Sequence, residues 1–206
     1  MSDDVEELGE LDIEVRRRTG GRSARVREAV LNATLETLAE LGFEGLTFSE
    51  IGRRAGVHGT SVQRRWGSRE NLLLEAIANF ANATITVPNT GSLRADLFGF
   101  SRSLSDYFST PAGAAILKAL VADTEHDRAF ALNRTAFVRM RHEATAAIIQ
   151  RARERGELRP GVDDDTALAL LVGPIYVRLL ITRQPMDDDF IERVTDALMK
   201  GLAAAA

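Results

Sequence analysis

From Val26 onward the apolar residues recur at helical rather than alternating spacing, with glycines and prolines where helices would end. Val30, Thr34, Thr37, Leu38 and Leu41 share one face and Gly42 closes the run, which predicts a first helix of roughly four turns. Thr47 with Glu50 three residues on has capping-box spacing and opens a second helix that Gly56 stops after about two turns. A short third helix is expected from His58 or Gly59 to Trp66, and a longer fourth from a Ser68 cap to about Asn82. Pro88, Gly91 and Ser92, then Pro111 and Gly113, leave helices at about 92–108 and 113–124. Asp127 can cap a long helix to about Arg155, closed by Gly156, Pro160 and Gly161, and the Asp triplets at 163–165 and 187–189 open helices at about 163–183 and 188–202. The expectation is all-α, about nine helices with no convincing strand. Consecutive aspartates at a helix start do not converge on one ion, so both triplets are taken as capping groups and no metal site is expected.

Composition narrows the class. The chain has 206 residues with 45% apolar and 27% charged side chains, enough for a substantial core in one domain or two small ones. The longest uncharged apolar run, 167–177, falls short of the roughly 18 residues of a membrane span, so a transmembrane protein is not expected. With no cysteine there is neither a disulfide framework nor a thiolate site, and the acidic N-terminus does not look like a signal peptide, so a cytoplasmic location is expected. The three histidines (His58, His126, His142) are scattered. No phosphate loop, dinucleotide-type glycine turn, paired metal histidines or nucleophile elbow is present, so neither an enzyme nor a cofactor is expected.

The net charge of −4 conceals an asymmetry. Residues 1–15 hold seven acids and no base, which leaves +3 on the remainder, and residues 16–27 then hold six arginines and no acid. Residues 1–21 read either as a solvated, disordered tail or, over Arg16, Arg17, Arg18 and Arg22, as an arm near an anionic polymer.

The helix, two-turn helix, glycine turn, two-turn helix order over residues 22–82 is that of a helix-turn-helix unit, whose second short helix enters the DNA major groove. Ile51 and Ala55 are four apart and can pack inward, as can Val62 and Trp66; the rest of the third helix (Thr60, Ser61, Gln63, Arg64, Arg65) is polar. From Arg53 to Arg69 there are five arginines and no acid, an electrostatic footprint for phosphate. The bland alternative is a structural three-helix motif with exposed arginines.

The stretch LTFSEIGRRAGVHGTSVQRRWGSRENLL, from Leu46 to Leu73, is similar to the DNA-binding domain of TetR/AcrR-family transcriptional regulators: a Thr, an Ala-Gly-Val turn, a short helix ending in an aromatic, then Ser-Arg-Glu and two leucines. The resemblance is strong from about Arg22 to Asn82. It continues weakly through the length, the helix count and the Gly173-Pro174-Ile175-Tyr176 segment, implying a helical ligand-binding and dimerisation domain over 83–206. Two departures stand out: Gln63 occupies the place of the family's usual phosphate-touching Tyr, and His58 that of its usual Ser or Thr cap.

Gly59, Thr60 and Ser61 at the start of the third helix meet the groove first, with Gln63 and Arg64 one turn on as base readers. Arg25, Thr47, Arg65 and Arg69 are phosphate contacts, and Trp66 completes the candidate DNA-binding set. One short helix covers few base pairs, so specificity calls for a homodimer on a palindromic operator, with the last two helices as interface because residues 167–177 are apolar all round. Aromatics concentrate between 92 and 142 (Phe98, Phe100, Tyr107, Phe108, Phe130, Phe137, with Met140) and recur at Tyr176; on helices such residues serve a core or a pocket. The resemblance implies a small apolar ligand in that region. The candidate ligand-binding residues are Phe100, Leu104, Tyr107, Phe137, Arg141 and Tyr176, with Asn133 and His142 as further polar groups. The implied function is a sequence-specific repressor released from DNA by its ligand, with an activator or a DNA-silent interaction module as alternatives.

Overall fold

Nine helical segments account for most of the chain in the computed structural model, which describes residues 3–121, 142 and 146–204 and gives the backbone alone for 3–20, 120 and 121. They are α1 (Asp3–Leu41), α2 (Phe48–Ala55), α3 (Gly59–Trp66), α4 (Arg69–Thr84), α5 (Leu93–Ser109), α6 (Pro111–Val121), α7 (146–154), α8 (Asp164–Tyr176) and α9 (Asp188–Leu202). Strand-like pairing among the described residues is confined to one bridge, Leu158 with Ala203. The contacts divide the chain into two units, Met1–Ala76 and Ile77–Ala206.

In the first unit α1 lays Val30, Leu31, Leu35 and Leu38 into the core, all at most 5% exposed. Thr34 and Thr37 are buried on the same face without penalty, because each hydroxyl donates to the carbonyl one turn back, Val30 O at 2.8 Å and Ala33 O at 2.7 Å. The helix runs from Asp3 to Leu41, starting well before Val26. The physical reason is that 3–41 contains no proline, and a formed helix lengthens by one hydrogen bond per residue without a new nucleus. The acids lie toward the positive end of that helix and the arginines follow them, the order its dipole favours.

In the second unit α5 is the central element, packed against α6, α8 and α9 and burying Leu93, Leu97, Phe100, Leu104, Tyr107 and Phe108. Both aspartate triplets cap as expected: Asp163 accepts from Thr166 N at 2.8 Å and Asp187 from Phe190 N at 2.9 Å. The next-to-last helix passes through Pro174 and continues as a π-helical turn over Val177–Thr182. Together they form a 19-residue helical run, Asp164–Thr182, of mean hydropathy 1.5, longer than the uncharged stretch visible in the sequence and long and apolar enough to cross a membrane by those measures alone. Aspartates stand at its start, Arg178 lies near its end, and Ala167, Leu168, Leu171 and Ile175 are buried within the unit. The expected cap at Asp127 lies outside the described residues.

Candidate nucleic-acid interface

Helices α1 to α4 build the interface. Thr47, in extended conformation, accepts from Glu50 N at 3.1 Å and starts α2. Only half of the expected capping box forms. Thr47 N donates to Gly45 O, and the Glu50 carboxylate turns to Arg53 and Arg54 at 2.6–2.8 Å, since charged donors outcompete a neutral amide already bonded. Gly56 ends the helix in the left-handed region (φ 68°), a conformation with little steric penalty for glycine alone, and Val57 N closes the turn onto Gly52 O at 2.9 Å.

The crossing of α2 and α3 is unusually close. A Cβ on Gly52 would stand 2.7 Å from Val57 O and 2.8 Å from Gly59 N, and one on Gly59 would stand 2.7 Å from Phe48 O. Gly59 is therefore half-buried against α2 and lets the two helices come together. Gly52, inside a short helix where glycine costs about 1 kcal/mol relative to Ala, carried the sequence signal for this approach.

On α3, Val62 (1% exposed) and Trp66 (8%) anchor the inner face, as their spacing predicts. Thr60, Ser61, Gln63, Arg64 and Arg65 are all exposed. His58 occupies the N-cap position but its side chain makes no capping bond, and Ser61 N reaches His58 O at 2.9 Å.

The five-arginine footprint is smaller than the sequence count. Arg54 is bound to both Glu50 and Glu40, the latter at 2.8 Å, and Arg53 to Glu50, so acids just outside the counted window neutralise two of the five. These guanidinium groups hold the Glu50 carboxyl down at about 2 and lower Glu40 as well. Arg64 is exposed with no ion-pair partner among the described residues. Arg65 lies over the Trp66 ring (5.1 Å) with Nη1 3.5 Å from Ser23 Oγ on α1. Arg69 is held from below, over the Phe43 ring (5.0 Å), 3.5 Å from Leu46 O and 3.7 Å from Glu70. Arg25 is exposed on α1.

Trp66 itself is turned inward. Its indole N–H donates to Glu75 Oε2 at 2.8 Å, and the other oxygen of that carboxylate accepts from Arg27 Nε at 2.6 Å. Neither Glu75 nor Arg27 was legible in the sequence, because 48 residues separate them and no local pattern pairs them.

Of the candidate ligand residues, Phe100, Leu104 and Tyr107 are buried on the inner side of α5. The Tyr107 ring meets Phe80 (5.0 Å) and Phe108 (4.9 Å), and Phe108 meets Tyr176 (6.0 Å), one continuous aromatic row. Phe137 and Arg141, with Asn133, Phe130 and Met140, lie outside the described residues. His142 Nδ1 stands 3.5 Å from Asp165. A cleft of about 720 Å³ opens elsewhere, between α8 and α9, bounded by Val162, Ala167, Leu170, Pro174, Val194 and Leu198, and none of the four described candidates (Phe100, Leu104, Tyr107, Tyr176) lines it.

A short helix anchored by two apolar residues, crossing a second at glycine contact and presenting polar and cationic side chains outward, defines a helix-turn-helix DNA-binding protein. Comparison with known proteins agrees. Residues 30–76 match the model for bacterial regulatory proteins of the tetR family, and residues 87–198 match the tetracyclin repressor-like C-terminal domain. The HTH-type transcriptional regulator AqdR of Rhodococcus erythropolis is 33% identical over 76% of this chain and 75% of its own. YdeS of Bacillus subtilis (strain 168), an uncharacterized HTH-type transcriptional regulator, is 25% identical over 90% and 93% of the two chains. Among solved structures, the TetR family transcription regulator SCO0332 superposes with a TM-score of 0.72 at 32% identity, covering 85% of this chain and 97% of that one. The TetR regulator TylP from Streptomyces fradiae shares the fold, with a TM-score of 0.67 at 23% identity over 89% of each chain. The chain belongs to the TetR family of transcriptional regulators.

Proposed function

We propose that this regulator is a homodimeric repressor that reads a palindromic operator and leaves it when a small apolar ligand binds. The observation that carries the reading is the outward face of α3, where Thr60, Ser61, Gln63, Arg64 and Arg65 are exposed over the buried pair Val62 and Trp66. Arg64 and Gln63 are the base readers; an arginine gives guanine two parallel hydrogen bonds and a glutamine does the same for adenine, each pair worth about 1–3 kcal/mol of discrimination. Arg25, Arg65, Arg69 and the free proton of the Thr47 hydroxyl hold phosphates.

Support for the dimer is an apolar surface left open on the next-to-last helical run: Leu170 is 51% exposed, Val177 53% and Ile181 76%, with Tyr176 beside them. Exposed apolar side chains clustered in this way mark an association surface, and a second copy of α8 and α9 is the occupant of matching shape. The ligand is assigned to Tyr107 and Tyr176 of the aromatic row and to Phe100 and Leu104 on the buried side of α5; Phe137 and Arg141, the other two candidates, lie outside the described residues. It acts by binding more tightly to the arrangement whose two α3 helices do not match the operator. A cytoplasmic location goes with operator binding.

Selection of genomic fragments by the purified protein tests this reading. A short palindrome should be enriched, with affinity falling steeply between two salt concentrations. On that fragment Arg64→Ala should relax preference at one base position, whereas Arg65→Ala should weaken binding to every duplex and flatten the salt slope. Absence of any enriched sequence overturns the reading.

A further inference from the structure

We propose that Glu75 is a positioning residue for DNA recognition, one carboxylate that fixes the rotation of α3 through Trp66 and thereby aims its base-reading face. The inference rests on the DNA-reading role given to α3.

Trp66 is the last residue of α3, and its indole is the largest group joining that helix to the rest of its unit. Its N–H donates to one oxygen of Glu75 at 2.8 Å. The second oxygen is occupied by Arg27 of α1 at 2.6 Å, so the carboxylate cannot rotate away from the indole without breaking an ion pair. The backbone end of the same residue is held too, since Asn71 Nδ2 donates to Trp66 O at 3.3 Å. On the outer side of the ring lies the Arg65 guanidinium. A path therefore runs from α1 through Arg27, Glu75 and Trp66 to Arg65, and from Trp66 along one turn of helix to Gln63. Packing of Val62 and Trp66 alone is non-directional and tolerates a few degrees of helix rotation; two charge-assisted hydrogen bonds on one carboxylate do not. Base-edge pairs need that precision, whereas phosphate contacts by flexible arginines accommodate small rotations.

The chain contains a single tryptophan, Trp66, so its fluorescence reports this contact directly. The full-length protein is compared with Glu75→Ala, Glu75→Gln and Arg27→Met on the selected operator and on a random duplex, with helical content monitored by circular dichroism. In Glu75→Ala the operator-to-random affinity ratio should fall about tenfold and the Trp66 emission maximum should shift, while the salt slope on random duplex stays as in wild type. Glu75→Gln, which keeps an oxygen for the indole, should recover the ratio to within about threefold of wild type. Arg27→Met should fall between the two.

An unshifted emission maximum in Glu75→Ala overturns the contact itself. A shifted maximum with an unchanged ratio overturns its role in aiming α3. Loss of affinity in equal proportion on both duplexes, unrelieved in Glu75→Gln, marks a merely structural group and also overturns the proposal. A wild type that prefers no sequence defeats the DNA-reading role, and the proposal with it, while the emission shift still reports whether the Trp66–Glu75 contact exists.

Discussion

Glu50 illustrates how one side chain can be read correctly for its position and incorrectly for its partner. The spacing from Thr47 marks it as a helix-start residue, and its N–H is capped as expected, but its carboxylate belongs to Arg53 and Arg54. Those pairs lower its pKa from the ordinary 4.5 to about 2, so their stabilisation is fully present above pH 4.5 and is lost as the pH falls toward 2. In that window the unfolded chain binds the proton that the folded one refuses, and stability rises with pH. Melting temperatures of wild type and Glu50→Gln should accordingly differ most above pH 5 and converge between pH 4.5 and 2. Because Arg53 is 69% exposed, added salt should reduce the difference. The single-residue assignments made from sequence hold best where burial decides them, as at Val62 and Trp66. They hold least where a partner on another helix decides, as at Arg54, which reaches Glu40 of α1, and at the Trp66 indole.

The boundaries of α2, α5, α8 and α9 follow their capping residues, and a cap is a local event that a few adjacent residues settle. The packing of α2 on α3 is not local. Gly52 and Gly59 each face backbone atoms of the other short helix or of the turn joining them at 2.7–2.8 Å from where a Cβ would sit, and backbone has no rotamer to yield. Gly52→Ala should therefore destabilise the unit by about 1–3 kcal/mol, more than the roughly 1 kcal/mol that alanine's helix preference returns. It should also impair operator binding by moving α3. Denaturant midpoints of the full-length protein check the first effect, and an unchanged midpoint would contradict the packing argument. Helix α1 is longer than the periodicity of its apolar face, because helix propagation needs only compatible residues and no buried stripe.

For the chain as a whole, the charge distribution and the exposed apolar run act on different partners. The exposed arginines of α3 are the proposed contacts to DNA, while Leu170, Val177 and Ile181 have no side-chain polar atoms to satisfy and gain only by leaving water. Light scattering at micromolar concentration should give twice the 22.5 kDa chain mass, and Ile181→Asp, a charge on the most exposed of these residues, should shift it to the monomer and abolish operator preference. A wild-type protein that scatters as a monomer contradicts the dimer. The long helical run at Asp164–Thr182 shows the same division of labour, four residues turned into its own unit and three apolar ones left outward.

Helix order, caps, the inward pair of α3 and the family likeness all rest on residues within a few positions of one another, and the 3.6-residue repeat and capping chemistry bring those together in any chain with this pattern. Why Gly52 must be glycine, that Glu40 takes Arg54, and that Glu75 and Arg27 converge on Trp66 depend on groups from different elements, separated by up to 48 positions. Such pairings form only once α1, α2 and α4 have packed, because the packing, and no local pattern, sets the distances between them.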